Sequence, residues 1–135
     1  MNDNTVPYQA NVMADRPLAK KMRAVWTPMF VFVDGEEVEQ HRFLGFLPPD
    51  EFAAQVHLAA AKDAFAKGRY DDSLRRFSGI VERLGATDAA PESLYWTGVC
   101  EFKLTKDVGR IAEKNREVVK RYPNHIWAKK LAFAR

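Results

Sequence analysis

The periodicity of the chain changes once, and abruptly. Up to about Gly45 the apolar residues come in short runs separated by turn signals, whereas from Pro48-Pro49 onward they recur at three-to-four spacing between helix starts and stops. That switch predicts an α+β protein in two parts, with the strands confined to the first. A chain of 135 residues that is 47% hydrophobic has material for one ordinary domain or two half-sized units.

In the first part, Val6 to Val12 predicts a short strand and Asp15 to Met22 a short helix with Pro17 in its first turn. The run MFVFV, Met29 to Val33, is β-branched, aromatic and uncharged, which suits a strand buried on both faces. Asp34-Gly35 predicts the hairpin turn. Glu37 to Phe43 then returns as a more polar strand suited to an edge.

In the second part, Pro49 opens a helix with Asp50 and Glu51 at its positive end, running to Lys67 and stopping at Gly68. Leu74, Phe77, Ile80, Val81 and Leu84 form one stripe of the next helix, which Gly85 ends. Pro91 starts a third, with Tyr95, Val99 and Phe102 on one face. Asp107 caps a fourth, with Val108, Ile111, Ala112, Val118 and Val119 directed inward and Pro123 as the stop. A last helix begins at Asn124, anchored by Ile126, Trp127 and Leu131. Short helices joined by tight turns predict antiparallel neighbours.

A single cysteine, Cys100, excludes an intrachain disulfide, a dithiol pair and a cysteine-based metal cage. It fits a reducing, cytoplasmic setting. No targeting signal is expected near Met1, and no apolar run is long enough to span a bilayer. The net charge of +3 arises from 21 basic and 18 acidic residues that read as interleaved, so no nucleic-acid partner is expected. His41, His57 and His125 lack metal-ligand spacing and have no converging acidic residues in sequence. Neither a metal site, a cofactor nor a catalytic constellation is expected.

The helical part matches itself after a shift of about 38 residues, the sign of a stacked array. Tyr70, Ser73, Phe77, Ile80 and Gly85 correspond to Val108, Ile111, Asn115, Val118 and Pro123. Ala61, Gly68, Tyr70 and Phe77, then Trp96, Gly98, Phe102 and Pro123, resemble two degenerate tetratricopeptide repeats followed by a final helix. Ser73, Ile111, Asn115 and Lys106 depart from that family's pattern.

The first part resembles the rear half of a thioredoxin fold. The likeness rests on Thr27-Pro28 directly before MFVFV, where the family places Thr-cis-Pro, on the Asp34-Gly35 hairpin, and on Gly45 before a helix. The expected layout is a truncated thioredoxin-like unit over residues 1–58, made of helix, β-hairpin and helix, and an all-α helical hairpin array over 59–135. Bacterial proteins that join a thioredoxin domain to such repeats share this order.

The resemblance implies a central strand and a Cys-x-x-Cys helix before Tyr8, for which only seven residues precede. One edge of MFVFV therefore lacks its familiar partner, and a homodimer through that edge is one expected outcome. The favoured function is non-enzymatic protein or peptide binding, of a scaffold or co-chaperone kind. The alternative is a thiol–disulfide oxidoreductase whose active-site half is absent. Candidate peptide contacts are the Thr27 backbone beside Pro28 and, on the repeats, Lys62, Phe65, Tyr95, Phe102 and Lys103, with Val99 nearby. Cys100 reads as a buried small hydrophobe.

Overall fold

A computed structural model describes residues 5–133; the outermost residues of the two expected parts lie outside that range. Among the described residues the protein is mixed α+β, with six helices and one two-stranded antiparallel hairpin. The chain divides into two compact units between Pro48 and Pro49, rather than after residue 58. The helix that follows Pro49 explains the difference. Its buried Ala54, Leu58 and Ala61 belong to the same core as Phe77 and Ile80, so the whole helix packs with the second unit.

The first unit contains α1 (Arg16–Lys21), β1 (Met29–Val33) and β2 (Glu39–Leu44). Asp15 caps α1, its Oδ1 accepting from Leu18 N at 3.1 Å, and Pro17 sits in the first turn. The hairpin pairs Phe30 with Phe43, Val31 with Arg42 and Phe32 with His41. Phe30 and Phe43 stack at 4.8 Å on one face. On the other, the Arg42 guanidinium donates to the Met22 carbonyl oxygen at 2.8 Å and reaches the Met29 sulfur, fixing the end of α1 against the strands.

Three expectations for this unit need correction. Val6 to Val12 forms no strand: the Asn11 side chain accepts from Met13 N at 2.9 Å and turns the chain toward the cap at Asp15. The returning strand begins at Glu39 rather than Glu37, because the turn through Asp34-Gly35 extends as far as Val38. Asp34 Oδ1 accepts from the backbone of Glu36 and of Val38, and Glu37, not Gly35, takes the left-handed conformation at φ 63°. Finally, β1 is half-buried rather than buried on both faces: among the described residues of the first unit none is fully buried, and Val33 is 43% exposed.

The second unit stacks α2 (Pro49–Ala66), α3 (Tyr70–Arg83), α4 (Ala89–Thr105), α5 (Gly109–Arg121) and α6 (Ile126–Phe133). Each helix packs on the next, and α4 also packs on α2 and α6. One core joins Leu58, Phe77, Ile80 and Cys100; a second joins Leu94, Val118 and Ala128. Small residues set the close approaches. Ser73 donates to the Ala61 carbonyl oxygen at 2.9 Å, and Gly98 lies where an added Cβ would come within 2.9 Å of Lys114 Cβ.

Contacts in this stack recur at one sequence separation. Asp88 N donates to both Glu51 oxygens, His125 Nε2 lies 2.7 Å from Asp88 Oδ1, and Tyr122 donates to the Gly85 carbonyl oxygen, each across 37 residues. Glu51, Asp88 and His125 thus mark the starts of α2, α4 and α6, a period close to the one read from the sequence.

Helix faces differ in places from the sequence reading. Val108, at 69% exposed, and Ala112 point outward, whereas Ile111, Val118 and Val119 are buried or half-buried as expected and are joined by Asn115 and Tyr122. Ile126 is exposed too; Ala128, with half-buried Trp127 and Leu131, anchors α6. Among the described residues no helix is long and apolar enough to cross a membrane.

Candidate functional site

Five aromatic rings form a continuous row in the second unit. Phe65, near the end of α2, meets Tyr70 edge-on with ring centres 5.2 Å apart, and lies 4.9 Å from Trp96 of α4. Trp96 is followed by Tyr95 at 5.6 Å, and Tyr95 stacks on Trp127 of α6 at 5.0 Å. The row draws on α2, the start of α3, α4 and α6. Beneath it, Trp96 stacks on fully buried Phe77 at 5.9 Å. All five rings of the row are half-buried, and Phe65, Trp96, Tyr95 and Trp127 pack against the two cores.

A lysine sits over the ring at each end. Lys103 Nζ is 5.8 Å from the centre of Tyr70, and Lys130 Nζ is 4.6 Å from that of Trp127. Among the described residues neither ammonium has a carboxylate partner. Lys62 differs: its Nζ lies 2.9 Å from Glu92 Oε1, the oxygen that also accepts from the Trp96 indole N–H at 3.4 Å. Lys62 and Lys103, both candidate peptide contacts, are therefore not equivalent. Lys62 is held in a bridge between α2 and α4, and the second available cation is Lys130.

The structure thus brings Phe65, Tyr95 and Lys103 onto one row, with Lys62 linked to its Trp96 through Glu92. Val99 and Phe102 follow Tyr95 at one and two helical turns along the same face of α4, both half-buried. Sequence reasoning missed Tyr70, Glu92, Trp96, Trp127 and Lys130 as members. The i,i+4 spacing of Glu92 and Trp96, and the place of Trp127 one period after the start of α4, could have pointed to them.

Thr27 and Pro28 belong to the first unit. The Thr27–Pro28 peptide is cis. The Pro28 carbonyl oxygen is engaged by Gly45 N at 2.8 Å, whereas Thr27 is exposed and its backbone makes no hydrogen bond among the described residues. Thr27 and the segment from Gln9 to Met13 line an open concavity of about 540 Å³. Trp26 beside it is 72% exposed.

The remaining polar groups read as structural. Cys100 is 0% exposed, with Sγ 3.5 Å from Ser73 Oγ, and burial pushes its thiol up, the reverse of what a reactive thiolate needs. Burial, with Arg83 and Arg76 alongside, pushes the His57 imidazole down. Asp72 is opposed by burial, but hydrogen bonds from Arg75 and Arg76 outweigh it and hold the carboxyl below the usual range. In the first unit, the hydrogen bond from Arg42 does the same for Glu39. His125 has an acidic neighbour in Asp88 that sequence spacing did not reveal, and its Nδ1 caps α6 by accepting from Trp127 N at 3.1 Å. Charge is also less evenly spread than it first reads: from Lys103 onward only Asp107, Glu113 and Glu117 are acidic among many lysines and arginines.

No family model, curated protein or solved structure matches the chain.

Proposed function

We propose that the second unit is a non-enzymatic protein-interaction module of tetratricopeptide-like hairpins that holds an extended peptide along α4. The observation that carries this reading is the aromatic row with a cation at each end. Half-buried rings that already rest on the core lose little side-chain freedom on binding, which is where aromatic contact area is most effective. Lys103 and Lys130 favour a peptide with acidic groups, because among the described residues their charges have no carboxylate to leave.

From Tyr95 to Lys103 the surface runs about 12 Å along α4, at about 1.5 Å per residue. An extended segment of about four residues spans that length. Rings would take its apolar side chains, and Lys103 a carboxylate at its end. Lys62 and Glu92 would keep α2 and α4 in register beneath it.

The test is a titration of short apolar peptides with acidic free C-termini against the same peptides amidated, followed by intrinsic tryptophan fluorescence. The free-acid peptides give a saturable change that Lys103→Glu weakens and salt screens. Equal response to both forms, or none to either, refutes the reading.

A further inference from the structure

In the first unit the backbone of β1 points two ways. Gly45 N donates to the Pro28 carbonyl oxygen, so position 28 is a hydrogen-bonded site of the antiparallel ladder, and by alternation so are Phe30 and Phe32. The N–H and C=O groups of Met29, Val31 and Val33 therefore face away from β2. Among the described residues they find no hydrogen-bond partner, since the sheet has two strands only. A two-stranded hairpin is marginal by itself, and an uncharged edge of this kind is a template for another strand.

We propose that the strand that covers this edge is β1 of a second copy of the chain, antiparallel, with the two-fold axis at Val31. The sequence MFVFV is nearly its own mirror. About Val31, Phe30 falls opposite Phe32 of the second copy and Met29 opposite Val33, so each face stays apolar and the pattern is unchanged by the symmetry. In this register the outward N–H and C=O groups of all three residues are satisfied in both copies. The two phenylalanine pairs fall at non-hydrogen-bonded sites, where side chains approach most closely.

The charges that flank β1 are already paired within one copy, Lys21 with Glu37 and Arg23 with Glu39, so it is the self-complementary pairing of Met29, Val31 and Val33 that carries the antiparallel arrangement. The product is one four-stranded sheet in the order β2, β1, β1, β2. It is independent of the aromatic row in the second unit.

Sedimentation of the full chain over a range of concentrations tests this, with two variants. Val31→Pro removes an outward N–H without removing a bond of the β1–β2 ladder, and weakens self-association by about tenfold or more. Val31→Cys places two thiols across the axis at about 5.5 Å between Cα atoms, within disulfide range, so mild oxidation cross-links it. Val38→Cys, in the hairpin loop, does not cross-link. A monomer at every concentration overturns the proposal. So does a dimer in which Val31→Cys fails to cross-link, and that arm decides the matter even if the proline disturbs the hairpin.

Discussion

Tyr122 at the end of α5 donates its hydroxyl proton to the carbonyl oxygen of Gly85, 2.8 Å away and 37 residues earlier in the chain. The bond ties the end of the second helical hairpin to the end of the first, and a half-buried hydroxyl satisfies a carbonyl of the turn that follows α3. Tyr122→Phe removes it while keeping the ring. Chemical denaturation should show a loss of about 1 kcal/mol. An unchanged midpoint would mean that water serves the carbonyl equally well.

Two helix glycines should respond oppositely to alanine. At Gly98 a new Cβ meets Lys114 Cβ at 2.9 Å and the Arg110 carbonyl oxygen at 3.2 Å, positions set by the facing helix. At Gly79 it meets only the end of the Arg83 side chain, which can swing aside. Gly98→Ala should destabilise by about 1–2 kcal/mol despite its better helix propensity, whereas Gly79→Ala should be neutral or stabilise by up to about 1 kcal/mol. Thermal melts that rank the two the other way would contradict the α4–α5 approach.

Lys106 ends α4 with φ 63° and ψ 13°, the left-handed conformation that favours glycine. Lys106→Gly should raise stability by about 0.5–1 kcal/mol, relief of backbone strain exceeding the added freedom of the unfolded chain. A loss of stability would show that the lysine side chain contributes more than its backbone costs.

The lowered His57 pKa carries a pH dependence. Between the folded value and the unfolded value of about 6.5, the unfolded chain binds more protons, so stability increases with pH. It is fully present above about 6.5 and is lost as pH falls through that value toward the folded one. His57→Gln should flatten the stability profile across this window relative to the parent. An identical slope in both proteins would remove His57 as the cause, since burial and the neighbouring Arg83 and Arg76 are what lower it.

Much of the framework was legible because local chemistry and tertiary packing agree. MFVFV forms β1 at its two expected ends, Asp15 caps α1, and Gly68 takes a positive φ after α2. Lys106 stood out as a departure from the repeat pattern, and the backbone there is left-handed. Where the reading failed, the deciding partner lay elsewhere. Val6 to Val12 has strand-forming residues but no neighbouring strand to pair with, and Val6 is 95% exposed. The faces of Val108 and Ile126 depend on which helix comes next in the stack, not on their own spacing. The aromatic row was half legible: Phe65, Tyr95 and Lys103 follow from repeat positions, while the Lys62–Glu92 bridge and the Tyr95–Trp127 stack join distant segments that no local pattern pairs.

The three tryptophans provide the most direct test of peptide binding by the row. Trp96 and Trp127 lie in it, and Trp26, exposed in the first unit, serves as an internal control. Titrating nitrogen-15-labelled protein with an apolar peptide bearing an acidic free C-terminus should shift the indole N–H signals of Trp96 and Trp127, leave that of Trp26 in place, and lose both shifts in Tyr95→Ala combined with Lys103→Glu at unchanged helical circular dichroism. Movement of the Trp26 signal alone, or shifts that survive the double substitution, would contradict the assignment of the row as the binding surface.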